Sequence, residues 1–236
     1  MIASTPRTGS TLFANALWDT RRAGAPKEYL NPMQVRDFGA RGPNRFAYRL
    51  LAGPSVGLAG LSLNADGLRA PLARVLAVRT GTNGWFGLKL HHHHHERWWH
   101  VVEDLLAPVA WLHVTREDRL AQAISWELAL QTGRWADFQR SWLPPVYSRA
   151  RLQRRLDAIA RAEHGWADFF HARGITPHPV AYERLVGDLD GTVRSALRYL
   201  GEADDIAATR PSQRRQSSAI TAQWRARFET GPARSR

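Results

Sequence analysis

Apolar and polar positions fall into blocks that switch between the two-residue period of strands and the 3.6-residue period of helices. Met1-Ile2-Ala3 is a short apolar start, and Ser4 to Thr11 is a polar loop. Leu12 to about Arg22 is helical, and Gly24-Ala25-Pro26 breaks it. On pattern alone Lys27 to Pro32 is a surface loop. Residues 39–67 are rich in Gly, Pro, Ala and Asn and predict a flexible insertion, a lid or substrate-side loop. Leu68 to Val78 has helical spacing, Gly81 to Gly84 forms a turn, and Trp85 to Leu90 predicts a buried strand. The run His91 to His95 is then a polar loop at the strand's C-terminal edge, and a helix covers Trp98 to Leu106. Val109 to Thr115 is the clearest strand. A helix from about Asp118 to Gln131 follows, with Leu120, Ile124 and Leu128 as its stripe.

Residues 133–147 are irregular and aromatic, with Trp135, Phe138, Trp142 and Tyr147. A long basic helix spans 149–173, its Leu152, Leu156, Ile159, Trp166, Phe169 and Phe170 facing inward. Its Arg149, Arg151, Arg154 and Arg155 read as a solvated face. Ile175 to Ala181 is a strand that Pro177 and Pro179 confine to an edge or shorten. A helix covers Leu189 to Leu200, and a last one lies near Ala219 to Phe228. Strands alternating with helices, without repeats or a linker, predict one α/β domain over 1–236. It is a doubly wound, P-loop-like fold with a mostly parallel sheet flanked by helices. Residues 203–236 form a basic tail that could close over a ligand as a lid.

Composition narrows the partners. The formal charge of +12 calls for an acidic ligand: nucleic acid, an anionic surface or a phosphorylated cofactor. The aromatics fall at core spacings rather than on a basic face, which argues against nucleic acid. No apolar run reaches the roughly 18 residues of a membrane span, and no signal peptide is recognisable. The chain has no Cys, which fits the cytoplasm. A homodimer stays open.

The first candidate chemistry is the loop Pro6-Arg7-Thr8-Gly9-Ser10-Thr11 between an apolar start and a helix. Such a loop aims backbone N–H groups and a helix dipole at one point, which makes an anion site. Arg7 adds a permanently charged fork for phosphate or sulfate, and Ser10 and Thr11 can cap the helix or touch the anion. The loop lacks the lysine and first glycine of a nucleotide P-loop. A nucleotide kinase or NTPase and a non-catalytic anion binder stay open as alternatives. The five histidines have only Glu96 beside them, so no metal is expected. Lys89, His91 and His93 stand where a substrate would lie in an open α/β sheet.

Four segments in order resemble a known family, the bacterial sulfotransferases of the trehalose-sulfotransferase type. These use 3′-phosphoadenosine 5′-phosphosulfate (PAPS). Pro6 to Thr11 is similar to their loop for the 5′-phosphosulfate. Gly24-Ala25-Pro26-Lys27-Glu28-Tyr29 is similar to the segment carrying their catalytic base. Phe86-Gly87-Leu88-Lys89-Leu90 resembles their second strand. Val114-Thr115-Arg116 through Gln122-Ala123-Ile124-Ser125-Trp126 resembles their 3′-phosphate site. Tyr182-Glu183-Arg184-Leu185, Arg215-Gln216-Ser217 and Trp224 to Phe228 also find counterparts.

The resemblance implies sulfuryl transfer from PAPS to a sugar or glycolipid hydroxyl, leaving adenosine 3′,5′-bisphosphate, without a metal. Glu28 is then the general base, best served by burial that raises its pKa. Arg7 stabilises developing charge. Arg116 and Ser125 clamp the 3′-phosphate, provided Arg116 lies in the turn before the helix. Arg215 and Gln216 close over the cofactor from the tail. The family's first strand is longer than Met1 to Ser4.

Overall fold

A computed structural model describes residues 1–31, 72–73, 75–135, 144–206 and 219–231. In chain order the elements are β1 (Ile2–Ser4), α1 (Ser10–Asp19), β2 (Lys89–His91), α2 (His92–Leu106), β3 (Leu112–Thr115) and α3 (Arg119–Thr132). They continue with α4 (Arg149–Ala172), β4 (His178–Ala181), α5 (Tyr182–Gly187), α6 (Leu189–Tyr199) and α7 (Ala219–Thr230). The described strands form one sheet in the order β2-β1-β3-β4, and every pairing is parallel. The expected α/β class and parallel sheet are therefore present.

Side chains alternate across this sheet and create two cores. Ile2, Leu112, Val114 and Val180 pack with Phe13 and Leu17 of α1 and Val193 and Leu197 of α6. Ala3 and Leu90 point the other way, into a layer with Trp98, Trp99 and Val102 of α2 and Trp166 and Phe170 of α4. Both faces of the sheet are thus covered, as an all-parallel sheet requires. A third cluster of Ile124, Leu152 and Trp224 joins α3, α4 and α7.

Several boundaries differ from the sequence expectation. The strand expected over 85–90 is confined to Lys89–His91. A Cβ at Gly87 would lie 2.6 Å from the Ala23 carbonyl oxygen and from Pro26, so the chain threads a tight crossing there instead of extending. β3 is shorter than 109–115 because its ladder partners run only from Ile2 to Ser4 and from His178 to Ala181. β4 begins after Pro177, and Pro179 is tolerated because β4 is an outer strand of the described sheet. α1 starts at Ser10 and ends before Thr20, whose hydroxyl donates to the Leu17 carbonyl. In the region expected as a 68–78 helix, residues 75–79 are helical.

The histidine run is not a polar loop. His91 ends β2, and His92 opens α2. His92, His94 and His95 are buried. His95 sits among Trp99, Trp111, Trp166 and Phe169 at centroid distances of 4.3–6.3 Å. Burial lowers the His94 pKa to about 3 and that of His95 to about 4. As neutral rings they pack like aromatics, which a polar reading misses. The arginines of α4 are not all solvated either. Arg155 pairs with the buried Glu127 at 3.0 Å, and Arg149 stacks on Phe228. The insertion at 39–67 and most of the tail linker lie outside the described residues.

Candidate active site

Parallel strands bring the C-terminal ends of β1, β2 and β3 to one edge, where the connecting loops converge. The β1–α1 loop turns twice through left-handed backbone, at Arg7 (φ 67°) and Gly9 (φ 79°). Gly9 is needed there: a Cβ would lie 2.6 Å from the Tyr182 ring. The loop is held from beneath by Gln122, fully buried, which donates to Thr5 Oγ1 at 2.8 Å and to the Pro6 carbonyl at 2.7 Å. Thr8 Oγ1 donates to the Thr5 carbonyl at 3.0 Å. No side chain caps α1, and its first turn carries no acid. Its leading N–H groups therefore face the loop without a side-chain acceptor, as in an anion site.

Two further side chains close on this loop. Arg7 Nε donates to Ser125 Oγ at 2.9 Å, and Arg7 Nη1 to the Trp135 carbonyl at 2.8 Å. Arg116 lies in the turn between β3 and α3, where the sequence argument required it. Its Nη1 donates to the Arg7 carbonyl at 3.3 Å, and its guanidinium stacks 4.2 Å above Tyr182. Arg116 Nε is buried and finds no partner among the described residues. Burial also lowers the Arg116 pKa. A half-buried guanidinium whose Nε has no partner among the described residues is suited to meet an anion.

The second half of the site surrounds Glu28. The segment expected as a surface loop is buried: Glu28 is 4% exposed, and Tyr29 and Leu30 are 1%. Lys27 bridges Leu88 in parallel and accepts the Lys89 N–H at 2.9 Å, so the segment runs beside β2. Tyr29 OH donates back to the Ala25 carbonyl at 2.8 Å. Glu28 Oε1 then meets Lys89 Nζ at 2.6 Å and His91 Nε2 at 3.4 Å, while Asn31 donates to Oε2. Lys89 Nζ also donates to Thr11 Oγ1 at 2.8 Å, joining the Glu28 cluster to α1. His91 Nδ1 lies 3.0 Å from Ser4 Oγ.

The sequence reading asked for a raised Glu28 pKa, and the structure reverses it. Burial does push the carboxyl up, but Lys89 and then His91 outweigh it and hold Glu28 well below the usual carboxylate range. Glu28 is an anion braced by the Lys89 ammonium and the His91 ring. Lysine is rare in this chain: only Lys27 and Lys89 occur, against 31 arginines, and they flank Glu28 in the fold. Lys27 Nζ donates to Asn15 at 2.7 Å and lies over Trp18, and burial lowers its pKa to about 8.

Arg7, Thr8, Gly9, Ser10, Thr11, Glu28, Lys89, His91, Arg116 and Ser125 are thus joined by contacts at one sheet edge. His93 is apart: it is exposed on the first turn of α2, and its ring stacks 6.0 Å from His91 without touching Glu28. Arg215 and Gln216 lie outside the described residues. In the sequence reading Gln122 and Tyr182 stand within the matched motifs without a role of their own, and Asn31 has none. Gln122 lies nearly opposite the Leu120, Ile124 and Leu128 stripe on α3, so the apolar pattern carries no signal for its burial.

The sequence profile of the Stf0 sulphotransferase family matches residues 1–231. The chain belongs to this family. Among characterised relatives, it is 26% identical over 258 residues to a trehalose 2-sulfotransferase of Mycobacterium tuberculosis (strain ATCC 35801 / TMC 107 / Erdman). That match covers 97% of this chain and 93% of the relative. A trehalose 2-sulfotransferase of Mycolicibacterium smegmatis is also 26% identical, over 261 residues, with the same coverage. In this Stf0 sulphotransferase the two strand–turn–helix junctions and Glu28 therefore belong to a group-transfer fold.

Proposed function

We propose that this sulfotransferase moves a sulfuryl group from PAPS to a carbohydrate hydroxyl, with Glu28 as the general base. The supporting observation is the unbroken contact chain from Arg116 through Arg7 to the α1 turn, and from Thr11 through Lys89 to Glu28. It sets an anion cradle and a carboxylate on opposite ends of one short helix turn. When bound, PAPS supplies an activated sulfuryl group on a nucleotide leaving group. Arg7 and the N–H groups from Thr8 to Thr11 would hold its phosphosulfate side, and Arg116 and Ser125 its 3′-phosphate.

Arg7 and the uncapped turn of α1 stabilise negative charge as it gathers on the leaving oxygen. Glu28 accepts the proton of the attacking hydroxyl. Its low pKa keeps it ionised, and Lys89 must yield part of its hold as the proton arrives. A carboxylate offers roughly four acceptor directions. Among the described residues Lys89, His91 and Asn31 take three of them, which leaves one for the hydroxyl. The names of the relatives make trehalose the first acceptor to try. The cysteine-free composition supports a cytoplasmic setting.

The test separates binding from turnover. Glu28→Ala is expected to bind adenosine 3′,5′-bisphosphate like the parent and lose about a hundred- to ten-thousandfold in transfer from PAPS to trehalose or another sugar. Full activity in that variant would remove Glu28 as the base.

A further inference from the structure

His91 is not a passive neighbour of Glu28, and the hydrogen positions around it show why. An ionised carboxylate can only accept, so Glu28 Oε1, 3.4 Å away, requires a proton on His91 Nε2. A neutral ring then has a bare Nδ1, and Ser4 Oγ at 3.0 Å must donate to it. Ser4 Oγ has a second partner, the Leu90 carbonyl oxygen at 3.2 Å. If the Ser4 hydroxyl turns to Leu90, its oxygen can accept from a proton on Nδ1. The ring is then an imidazolium. Both charge states keep the same heavy-atom contacts, with Nδ1 bonded to Ser4 Oγ and Nε2 facing Glu28, and they differ by one proton at Nδ1 and a rotation of the Ser4 hydroxyl.

We infer that His91 is a positioning residue that sets the proton affinity of Glu28, with the buried Ser4 hydroxyl as its switch. Neutral His91 steadies the carboxylate and leaves Lys89 as the one full charge bonded to it among the described residues. Cationic His91 adds a second positive charge at the same oxygen, and the carboxylate becomes a poorer base. The charged and titratable groups facing His91 are Glu28 from the α1–β2 connection, Lys89 on β2, and His93 and His94 on α2, each ring 6.0 Å away. β1 contributes the uncharged Ser4. The proton balance is closed. Acidification adds one proton, at Nδ1, and the Ser4 proton moves only by rotation. Turnover still takes the hydroxyl proton at Glu28.

This inference rests on the proposed role of Glu28, so its test is arranged to fail separately. The wild-type enzyme, assayed with PAPS and trehalose, is expected to lose kcat on acidification while Glu28 is still ionised, with little change in the affinity for adenosine 3′,5′-bisphosphate. His91→Gln keeps an N–H donor for Glu28 but cannot titrate, so the acid limb disappears. His91→Phe loses the donor, and kcat drops by about tenfold to a hundredfold through misplacement of the base. Ser4→Ala moves the limb to lower pH, because a charged N–H loses more than a bare nitrogen when its partner is removed.

Nitrogen-15 spectra of the histidines, with His91 assigned by its loss in His91→Gln, are expected to show protonated Nε2 above the limb and both nitrogens protonated below it. An unchanged limb in His91→Gln, or a resting ring protonated at Nδ1 alone, overturns the inference. Full activity in Glu28→Gln instead overturns the base assignment, and the histidine spectra still report the ring. If His91→Gln does not fold, the direction of the limb shift in Ser4→Ala decides the question.

Discussion

The β1–α1 and β3–α3 junctions share one plan of strand, turn and helix, and both open on the same sheet edge. They differ at the helix N-terminus. α1 begins after Gly9 with no side-chain cap. α3 begins after Asp118, whose Oδ1 accepts the Ala121 N–H at 3.0 Å while both carboxylate oxygens take Arg225 at 2.6 Å. One junction leaves its N–H groups open to an outside anion, and the other satisfies them internally. The closed junction cannot lend its dipole to a ligand, so its contribution to the site is a side chain, Arg116, projected from the turn. On the proposed reading, two copies of one motif divide the work of binding a doubly anionic ligand.

Removing Arg7 strikes the open junction hardest. Transfer by Arg7→Ala is expected to fall by about a hundred- to thousandfold, roughly 3–4 kcal/mol, in initial-rate assays with PAPS. An unchanged rate would break the contrast at its open end. Arg116→Ala tests the closed junction's one projecting charge. Calorimetry should show adenosine 3′,5′-bisphosphate bound about tenfold to a hundredfold more weakly, from a charged contact worth roughly 1.5–3 kcal/mol.

Asp118→Ala opens the closed end. It should lower stability by about 1 kcal/mol in urea unfolding, the usual loss for a helix cap. Its effect on nucleotide binding should be smaller than that of Arg116→Ala. Equal effects on binding would mean that the two residues act as one unit.

Acid sharpens the same point. Burial works to raise the Asp118 pKa, yet Arg225 and the Ala121 amide hold it below its ordinary value. A depressed carboxylate stabilises the fold fully above the unfolded value of about 4 and loses that contribution as pH falls through the folded value. Stability should therefore decline below about pH 4, less steeply in Asp118→Asn than in the parent, by thermal scans across pH. Arg225→Ala should be the mildest change, about 0.2–1 kcal/mol, since its pair with Asp118 is partly exposed.

Much of this plan was legible in the chain. The long helix from Arg149 announces itself through apolar residues at helical spacing, and Ser148 caps it by accepting the Arg151 N–H. The strand-to-helix pattern puts Arg116 in the turn before α3, from which it can converge with Ser125. Two places were not legible, for related reasons. The histidine run looks polar, but imidazoles kept neutral by burial pack as rings. Glu28 looked exposed because a lone carboxylate between Lys27 and Tyr29 carries no trace of Lys89, 61 residues on, which makes its burial tolerable. Local pattern reports the face a residue prefers; it does not report a distant partner that changes the preference.

Tyr182 gives the molecule a point of early failure. It follows directly on β4, an outer strand of the described sheet, and its ring touches both the space above Gly9 and the face of Arg116. Outer strands open at lower free energy than the centre of a sheet. Fraying there would withdraw the wall shared by both junctions while Trp166 and the central strands stayed packed. If the proposed site is the active one, its competence would follow a local folding equilibrium at the rim, separate from the stability of the core.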